Sequence, residues 1–225
     1  MTDQIDLFEA LESCRSIRRL RPDPLPDELL EKLVHYATRA PSAGNSQLWK
    51  FLVVTAPEDR RWFRDMLVEA VGHRFPEPAP ADTSAAARGQ RRYRQFIFDF
   101  DQIPVLVLPL IENAFPDRDH PDVRFAWSSV YAATQNLLLA ARGLGIGAAM
   151  TTNHLENEPA VRERFAIPAT FQIGATIPLG YPVGRYGPVT RKPVIPTMYR
   201  GRFGAPWASG PTDASERATR VRYGI

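Results

Sequence analysis

The sequence predicts an α+β fold in a single domain of 225 residues. Apolar residues recur at helical spacing in six stretches, and short apolar runs rich in valine, leucine and isoleucine separate several of them. No internal repeat and no change in composition marks a domain boundary. Beyond Pro182 the chain is rich in proline, glycine and arginine and has no helical period, so residues 182–225 are expected to form an extended tail.

The first half of the chain begins with helices that have recognisable starts. Residues 4–13 are predicted to form a short helix capped by Asp3, with three side chains facing inward: Leu7, Phe8 and Leu11. A second helix starts at Pro26, where a fixed φ and the charges of Asp27 and Glu28 are favourable. A buried strand at 51–54 and a third helix from Pro57 follow.

Residues 72–100 are expected to form an insertion or lid. From Gly72 to Gly89 the chain has several prolines and little to bury, which is typical of a mobile loop. Residues 88–100 indicate a helix whose aromatic side packs on the core. Its four arginines are expected to lie in solvent, and contact with an anionic reductant is the alternative; they are Arg88, Arg91, Arg92 and Arg94.

The second half contains the longest predicted helix, at 123–142. It has few charges, so we expect it to be buried on more than one side, as at the centre of a dimer. Strands are predicted at 104–111, 148–152 and 171–181, with a helix at 158–165 between the last two. Pro109 inside its strand predicts an edge position or a bulge.

Composition excludes several classes of function. Net charge is +3 and the charges are spread along the chain, without the basic face expected of a nucleic-acid-binding protein. The four histidines are far apart, so no metal site is expected. No run is long enough to span a membrane, the first residues do not resemble an export signal, and the single Cys14 fits a reducing compartment; we expect a cytoplasmic protein.

The segment Ala-Pro-Ser-Ala-Gly-Asn-Ser-Gln at 40–47 is the first candidate binding loop. Pro41 ends the preceding helix, and the small residues after it let the backbone approach a ligand. The carboxamides of Asn45 and Gln47 suit the edge of a heteroaromatic ring, because each both donates and accepts hydrogen bonds. An ordinary turn between a helix and a strand is the alternative.

A second candidate is Cys-Arg-Ser-Ile-Arg-Arg at 14–19. Its guanidinium groups suit phosphate or a carbonyl, and Ser16 adds a hydroxyl beside them. The order of an Arg-Ser-x-Arg turn, one helix, and Pro-Ser-Ala-Gly-Asn-x-Gln-x-Trp before a strand resembles the flavin-dependent nitroreductase family. The helix at 123–142 and the following Gly-Leu-Gly also resemble that family's central helix.

The resemblance implies the fold, the cofactor and the assembly. The expected fold is a central mixed, mostly antiparallel sheet of four to five strands flanked by helices, in an intertwined homodimer with an extended tail. The expected cofactor is FMN, with NADH or NADPH as reductant. The alternatives are a flavin-breakdown or dehalogenase-type member of the family, or a protein that stores flavin without turnover.

The resemblance also implies individual binding residues. Arg15, Ser16 and Arg18 would contact the phosphate, ribityl chain and pyrimidine edge of FMN. The second subunit would contribute Pro41, Ser42, Ala43, Asn45 and Gln47. Thr151 and Thr152, after Met150, would place backbone groups near N5 and O4 of the flavin, and Arg191 would pair with the phosphate. No catalytic side chain is expected. The family often has a basic residue where Cys14 stands, so one phosphate cation is expected to be missing.

Overall fold

The computed structural model describes residues 5–207, which form a five-stranded sheet flanked by helices, the α+β class expected from the sequence. The helices are α1 (Leu7–Ser13), α2 (Asp27–Ala37), α3 (Pro57–Val71), α4 (Ala85–Phe98), α5 (Val123–Gly143) and α6 (Glu158–Arg164). The strands are β1 (Trp49–Val54), β2 (Val105–Glu112), β3 (Gly147–Ala148), β4 (Phe171–Ile173) and β5 (Ile177–Gly180). Within the same residues, every helix is too short or too polar to cross a membrane.

The sheet has the order β1-β2-β5-β3, and β4 pairs with β2 beyond the end of β5. Every strand pair in the described part of the chain is antiparallel, so the expectation of a mixed sheet is corrected there. β2 alternates between two cores. Leu106 and Leu108 face α3, α4 and α6, whereas Val105 and Val107 face α2 and α5.

Pro109 lies in the interior strand β2, so the predicted edge position is wrong and the predicted bulge is correct. The pairing shifts between Val107 opposite Ile177 and Leu110 opposite Ile173. Residues 108 and 109 of β2 therefore face three residues, 174–176, of the segment that joins β4 to β5. Gly174 donates its N–H to the carbonyl of Pro109 at 2.8 Å. This bulge divides the single strand predicted at 171–181 into β4 and β5.

α1 differs from its prediction in both its start and its buried face. Asp6 caps it by accepting a hydrogen bond from the Glu9 N–H at 2.8 Å, and Asp3 lies outside the described residues. The small Ala10 and Ser13 are buried against the rest of the chain. Three side chains expected to face inward are instead 62%, 65% and 47% exposed: Leu7, Phe8 and Leu11.

The insertion contains a longer helix than predicted, and hydrogen bonds from that helix hold the loop that precedes it. Ser84 caps α4 by accepting from the Ala87 N–H, so the helix begins three residues before position 88. Arg91 donates to the carbonyls of Asp82 at 2.8 Å and Ala79 at 2.6 Å. Arg94 donates to the Phe75 carbonyl, and Arg88 to the Thr83 carbonyl. Three of the four arginines thus hold the loop.

α5 has the predicted length but is buried on one side only. Val130, Ala133 and Leu137 are fully buried, whereas Tyr131 is 40% exposed and Gln135 is also exposed. The tail returns along its own chain, where Val183 and Val189 donate to the carbonyls of Arg19 and Glu12, each at 2.9 Å. Residues 183–191 are therefore held to their own chain by these bonds, and residues 208–225 lie outside the described part.

Candidate functional site

A cleft with a volume of about 230 Å³ lies where the end of α1, the last turns of α5, the end of β3 and the tail meet. An adjoining cavity of about 390 Å³ shares Arg15, Ser16 and Arg191 with it. The cleft therefore brings together two motifs that are far apart in sequence. Its walls include both cations and apolar side chains, namely Leu11, Arg15, Leu138, Arg142, Ile146, Met150 and Arg191.

The turn that carries Arg15 and Ser16 is fixed to the sheet by its backbone. Ile17 donates to the Ala148 carbonyl at 2.8 Å, and Arg21 donates to the Tyr181 carbonyl at 2.8 Å. Gly147 makes this approach possible, because a Cβ at that position would lie 2.5 Å from Leu20 Cδ2. The site is therefore built on an edge of the sheet.

The guanidinium groups give the cleft a strongly positive wall. Arg15 makes no hydrogen bond or ion pair with residues 5–207. Arg191 reaches the cleft from the tail and donates to the Thr190 carbonyl at 2.9 Å. A dianionic phosphate suits such a wall, since forked guanidinium donors match its oxygens.

Arg142 and Tyr186 line the cleft but were not predicted. Arg142 donates from Nε to Ser13 Oγ at 2.7 Å, pairs with Glu9 at 3.1 Å, and lies 4.3 Å from the centre of the Tyr186 ring. Tyr186 donates to the Ile146 carbonyl, and burial raises its pKa to about 12. Helical spacing contained a signal, because Gln135, Leu138 and Arg142 lie on one face of α5.

Cys14 lies in the wall of the same cleft. Burial raises the pKa of its thiol, and the nearby Arg142 partly opposes that effect. The thiol therefore stays protonated near neutral pH and adds no charge. Arg142 adds a guanidinium group to the same wall, although that group is already paired with Glu9.

Arg18 is directed to the second cavity and towards the insertion. It lines the 390 Å³ cavity with Arg15 and Arg191. Its guanidinium carbon lies 5.7 Å from the centre of the Tyr93 ring and 5.9 Å from that of Phe96. The residue predicted for the pyrimidine edge is thus held against aromatic side chains of α4.

The Met150–Thr152 segment leaves the cleft and is clamped to the bulge of the sheet. Met150 lines the cleft, but Thr151 is held by Thr176. Thr151 donates its N–H at 3.1 Å and its hydroxyl at 2.7 Å to the Thr176 carbonyl, and the Thr176 N–H donates back at 2.9 Å. Among the described residues the Thr152 N–H has no partner, so it is the better placed of the two predicted backbone donors.

Behind that clamp lies a histidine that the sequence did not single out. His154 is 1% exposed, and its Nδ1 lies 3.1 Å from Thr176 Oγ1. Burial lowers the pKa of His154, although Glu158 opposes that shift. A neutral ring is therefore part of the support for Thr176 and, through it, Thr151.

The loop Pro41–Gln47 lies away from the cleft of its own protomer. Ala43 donates its N–H to Ser129 Oγ at 3.1 Å, and Ser42 Oγ accepts from the Gln47 N–H at 3.1 Å. Gly44, Asn45 and Gln47 have φ values of 56°, 50° and 51°. Left-handed conformations at non-glycine residues are uncommon and cluster at binding sites.

Distance along α5 separates this loop from the cleft. Ser129 is six residues from Gln135, the first α5 residue of the cleft, and thirteen from Arg142. At about 1.5 Å of rise per residue, Ser129 is about 9 to 20 Å along the helix from the cleft residues of α5. No residue of Pro41–Gln47 lines the cleft or the adjoining cavity. The second group of predicted residues therefore does not join the first group within one protomer.

The residues present in the cleft fit FMN. Arg15, Arg191 and Ser16 suit a terminal phosphate, and Leu138, Ile146 and Met150 offer apolar surface to a ring. The two adjoining cavities together have the size of ordinary cofactor sites, about 300 to 1,000 Å³. Such pockets combine an apolar wall with a few polar groups that fix orientation.

Comparison with known proteins identifies a family and a similar relative. The model of the nitroreductase family matches residues 11–181. An NADH dehydrogenase of Thermus thermophilus is 31% identical over 209 residues, which are 84% of this chain and 93% of the relative.

Two solved structures share the fold. One is iodotyrosine deiodinase bound to FMN and 3-iodo-L-tyrosine, with a TM-score of 0.66, 21% identity, and coverage of 88% of this chain and 99% of the other. The other is a nitroreductase with bound FMN from Desulfitobacterium hafniense DCB-2, with a TM-score of 0.61, 22% identity, and coverage of 82% and 93%. The family model that matches residues 11–181 shows that the chain belongs to the nitroreductase family.

Proposed function

We propose that the protein is an FMN-dependent oxidoreductase that takes a hydride from NADH or NADPH and reduces an electron-poor small molecule such as a nitroaromatic or a quinone. The observation that carries this proposal is the cleft, where Arg15 and Arg191 adjoin apolar walls. The Thermus relative is called an NADH dehydrogenase, and the two solved neighbours contain FMN. Bound in the cleft, FMN would accept the hydride from the coenzyme and pass the electrons to the acceptor.

The chain's own residues would bind and orient the cofactor. Arg15 and Arg191 neutralise the phosphate, and Ser16 adds a hydroxyl beside them. Met150 would offer apolar surface to the ring, and the Thr152 N–H, two residues beyond Met150 and next to the held Thr151, would be available to donate to it. A donor fixed in advance stabilises developing negative charge without reorganisation.

The proposal includes a homodimer in which each site is shared. Pro41, Ser42, Ala43, Asn45 and Gln47 would reach the cleft of the partner, because none of them lines the cleft of its own chain and Ser129, which holds the loop, is about 9 to 20 Å along α5 from the cleft residues of that helix. A second copy would cover the exposed Tyr131 and Gln135 side of α5 and the apolar side chains of α1. A two-fold axis would then create two equivalent sites.

The remaining parts of the chain have secondary roles in this proposal. Residues 1–225 act as one domain, the insertion at 72–100 is a lid that selects the acceptor, and the tail at 182–225 supplies Arg191. The proposed location is the cytoplasm, because a single cysteine fits a reducing compartment.

Steady-state oxidation of NADH and NADPH, with and without added menadione, tests the activity. A catalyst oxidises at least one coenzyme many times per flavin once the quinone is present. A storage protein leaves both coenzymes unchanged. Release of iodide from 3-iodotyrosine, or conversion of reduced flavin to a benzimidazole in air, would instead support the dehalogenase or flavin-breakdown alternative.

A further inference from the structure

A third cavity, of about 110 Å³, lies between the Arg18–Arg19 turn and α4. Its polar wall consists of Arg18, Arg19, Arg92, Gln95, Asp99 and Gln102. Arg18 also lines the cavity that contains Arg15 and Arg191, so the two cavities are neighbours. Because cofactor sites usually have volumes of about 300 to 1,000 Å³, this cavity has room for a head group and not for a whole cofactor.

The partners of the α4 arginines distinguish Arg92 from the others. Arg88, Arg91 and Arg94 donate to carbonyls of the loop that precedes the helix. The Arg92 side chain makes no hydrogen bond or ion pair with residues 5–207, and neither does the Arg19 side chain. The Arg18 guanidinium lies against the Tyr93 and Phe96 rings and makes no hydrogen bond or ion pair within the described part of the chain. The basic cluster seen in the sequence is therefore mostly structural, with one guanidinium left over beside this cavity.

We propose that Arg18, Arg19 and Arg92 bind an anionic group, a carboxylate or a phosphate, carried by a molecule that enters the flavin site. Three guanidinium groups and one carboxylate, Asp99, leave the wall net positive. Gln95 and Gln102 add carboxamide donors beside them. Guanidinium groups match both anions with paired hydrogen bonds. This inference rests on the proposed function and narrows its substrate class.

Two sources can supply that anion. One is an acidic group on the acceptor, and the other is the 2′-phosphate that distinguishes NADPH from NADH. Titration calorimetry of the oxidised protein as purified separates them with two ligand pairs. The first pair is 4-nitrobenzoate and 4-nitrobenzamide; the second is 2′,5′-ADP and 5′-AMP. None of these titrations needs turnover, so the result is independent of whether the protein proves to be a catalyst.

The wild type is expected to bind the more anionic member of one pair more tightly. Arg92→Gln and Arg19→Gln should each reduce that preference by about ten- to a hundredfold, as expected for loss of a charge-assisted contact. The neutral benzamide or the 5′-AMP should bind as before. The matched control is Arg88→Gln, one turn earlier on α4, which should retain the preference because Arg88 bonds the Thr83 carbonyl.

The affected pair identifies the source of the anion. A lost preference for 4-nitrobenzoate indicates an acidic acceptor, and a lost preference for 2′,5′-ADP indicates NADPH. A wild type with no preference in either pair would overturn the inference. So would a preference that survives in both Arg92→Gln and Arg19→Gln, or one that falls equally in Arg88→Gln.

Discussion

The guanidinium groups around the cleft come from three separate parts of the chain. Arg15 lies in the turn after α1, Arg142 in the last turn of α5, and Arg191 in the tail. Cys14, half-buried between them, stays neutral because burial raises the pKa of its thiol. The proposed phosphate binding can therefore be tested one residue at a time.

Replacing Arg191 by alanine should weaken FMN binding by about 1.5–3 kcal/mol, or about ten- to a hundredfold, through loss of a charge-assisted contact. Arg191 lies in an exposed stretch of the tail, so far-UV circular dichroism should not change. Fluorescence titration of the apoprotein with FMN measures the effect. An unaltered affinity would mean that Arg191 does not touch the phosphate.

His154 should make stability depend on pH in a defined direction. Burial lowers its pKa in the folded protein, whereas an unfolded chain takes up the proton near pH 6.5. Below about pH 6.5 the unfolded state binds more protons, so the free energy of unfolding falls as the pH falls. His154→Gln keeps a group that can bond Thr176 but does not titrate.

Urea unfolding of wild type and His154→Gln at several pH values between 5 and 7.5 measures this effect. The wild type should lose more stability on acidification than the variant. Equal losses would show that other groups cause the acid sensitivity and that His154 does not.

The sequence predicted the cleft residues that belong to a recognisable motif. It did not predict those that reach the cleft only through tertiary packing. Arg15, Ser16, Met150 and Arg191 were predicted and do line one cleft. Arg142 was missed, because its place beside the Arg15 turn depends on tertiary contacts of its side chain with Ser13, Glu9 and Tyr186. Contacts of predicted site residues with the cofactor remain predictions.

At the scale of elements, helices were predictable and their exposed faces were not. α5 and α6 begin where their patterns predict, because their apolar periods and first turns are clear. α1 was assigned the wrong face, since Leu7, Phe8 and Leu11 form a clean apolar stripe that this protomer leaves uncovered. A helical period shows that a face will be covered, but not whether the cover belongs to the same chain.

The insertion shows how side chains can order a loop that buries little. Arg91 holds two carbonyls of the 79–82 segment, so Arg91→Gln should raise amide exchange rates in residues 75–84 by about tenfold or more, given about 1.5–3 kcal/mol for charged hydrogen bonds. Arg92→Gln is the matched control, because the Arg92 side chain donates no hydrogen bond to a carbonyl of the described loop. Mass-spectrometric exchange reports both variants; equal protection in them would contradict this account of the loop.

At the scale of the whole molecule, the two groups of predicted binding residues lie apart within one protomer. The loop around Asn45 is held near Ser129, far along α5 from Arg15. We expect a variant damaged at Arg15 and Arg18 and another damaged at Ser42 and Asn45 each to be nearly inactive. A doubly tagged mixed dimer should recover about half of the wild-type activity, because two-fold symmetry gives it one intact site.

Purification of the mixed dimer and assay of its flavin content and NAD(P)H oxidation measure this recovery. Homodimers of each variant, prepared in parallel, are the controls. A mixed dimer as inactive as its parents would show that both motifs serve the flavin of one chain, and the shared site would be wrong.

The central claim is that the cleft binds FMN, and identification of the cofactor in the purified protein tests it most directly. The protein should be yellow, and chromatography after denaturation should release FMN, close to one per protomer, and not FAD. A single terminal phosphate suits Arg15 and Arg191. A colourless protein that also fails to bind added FMN would contradict the account.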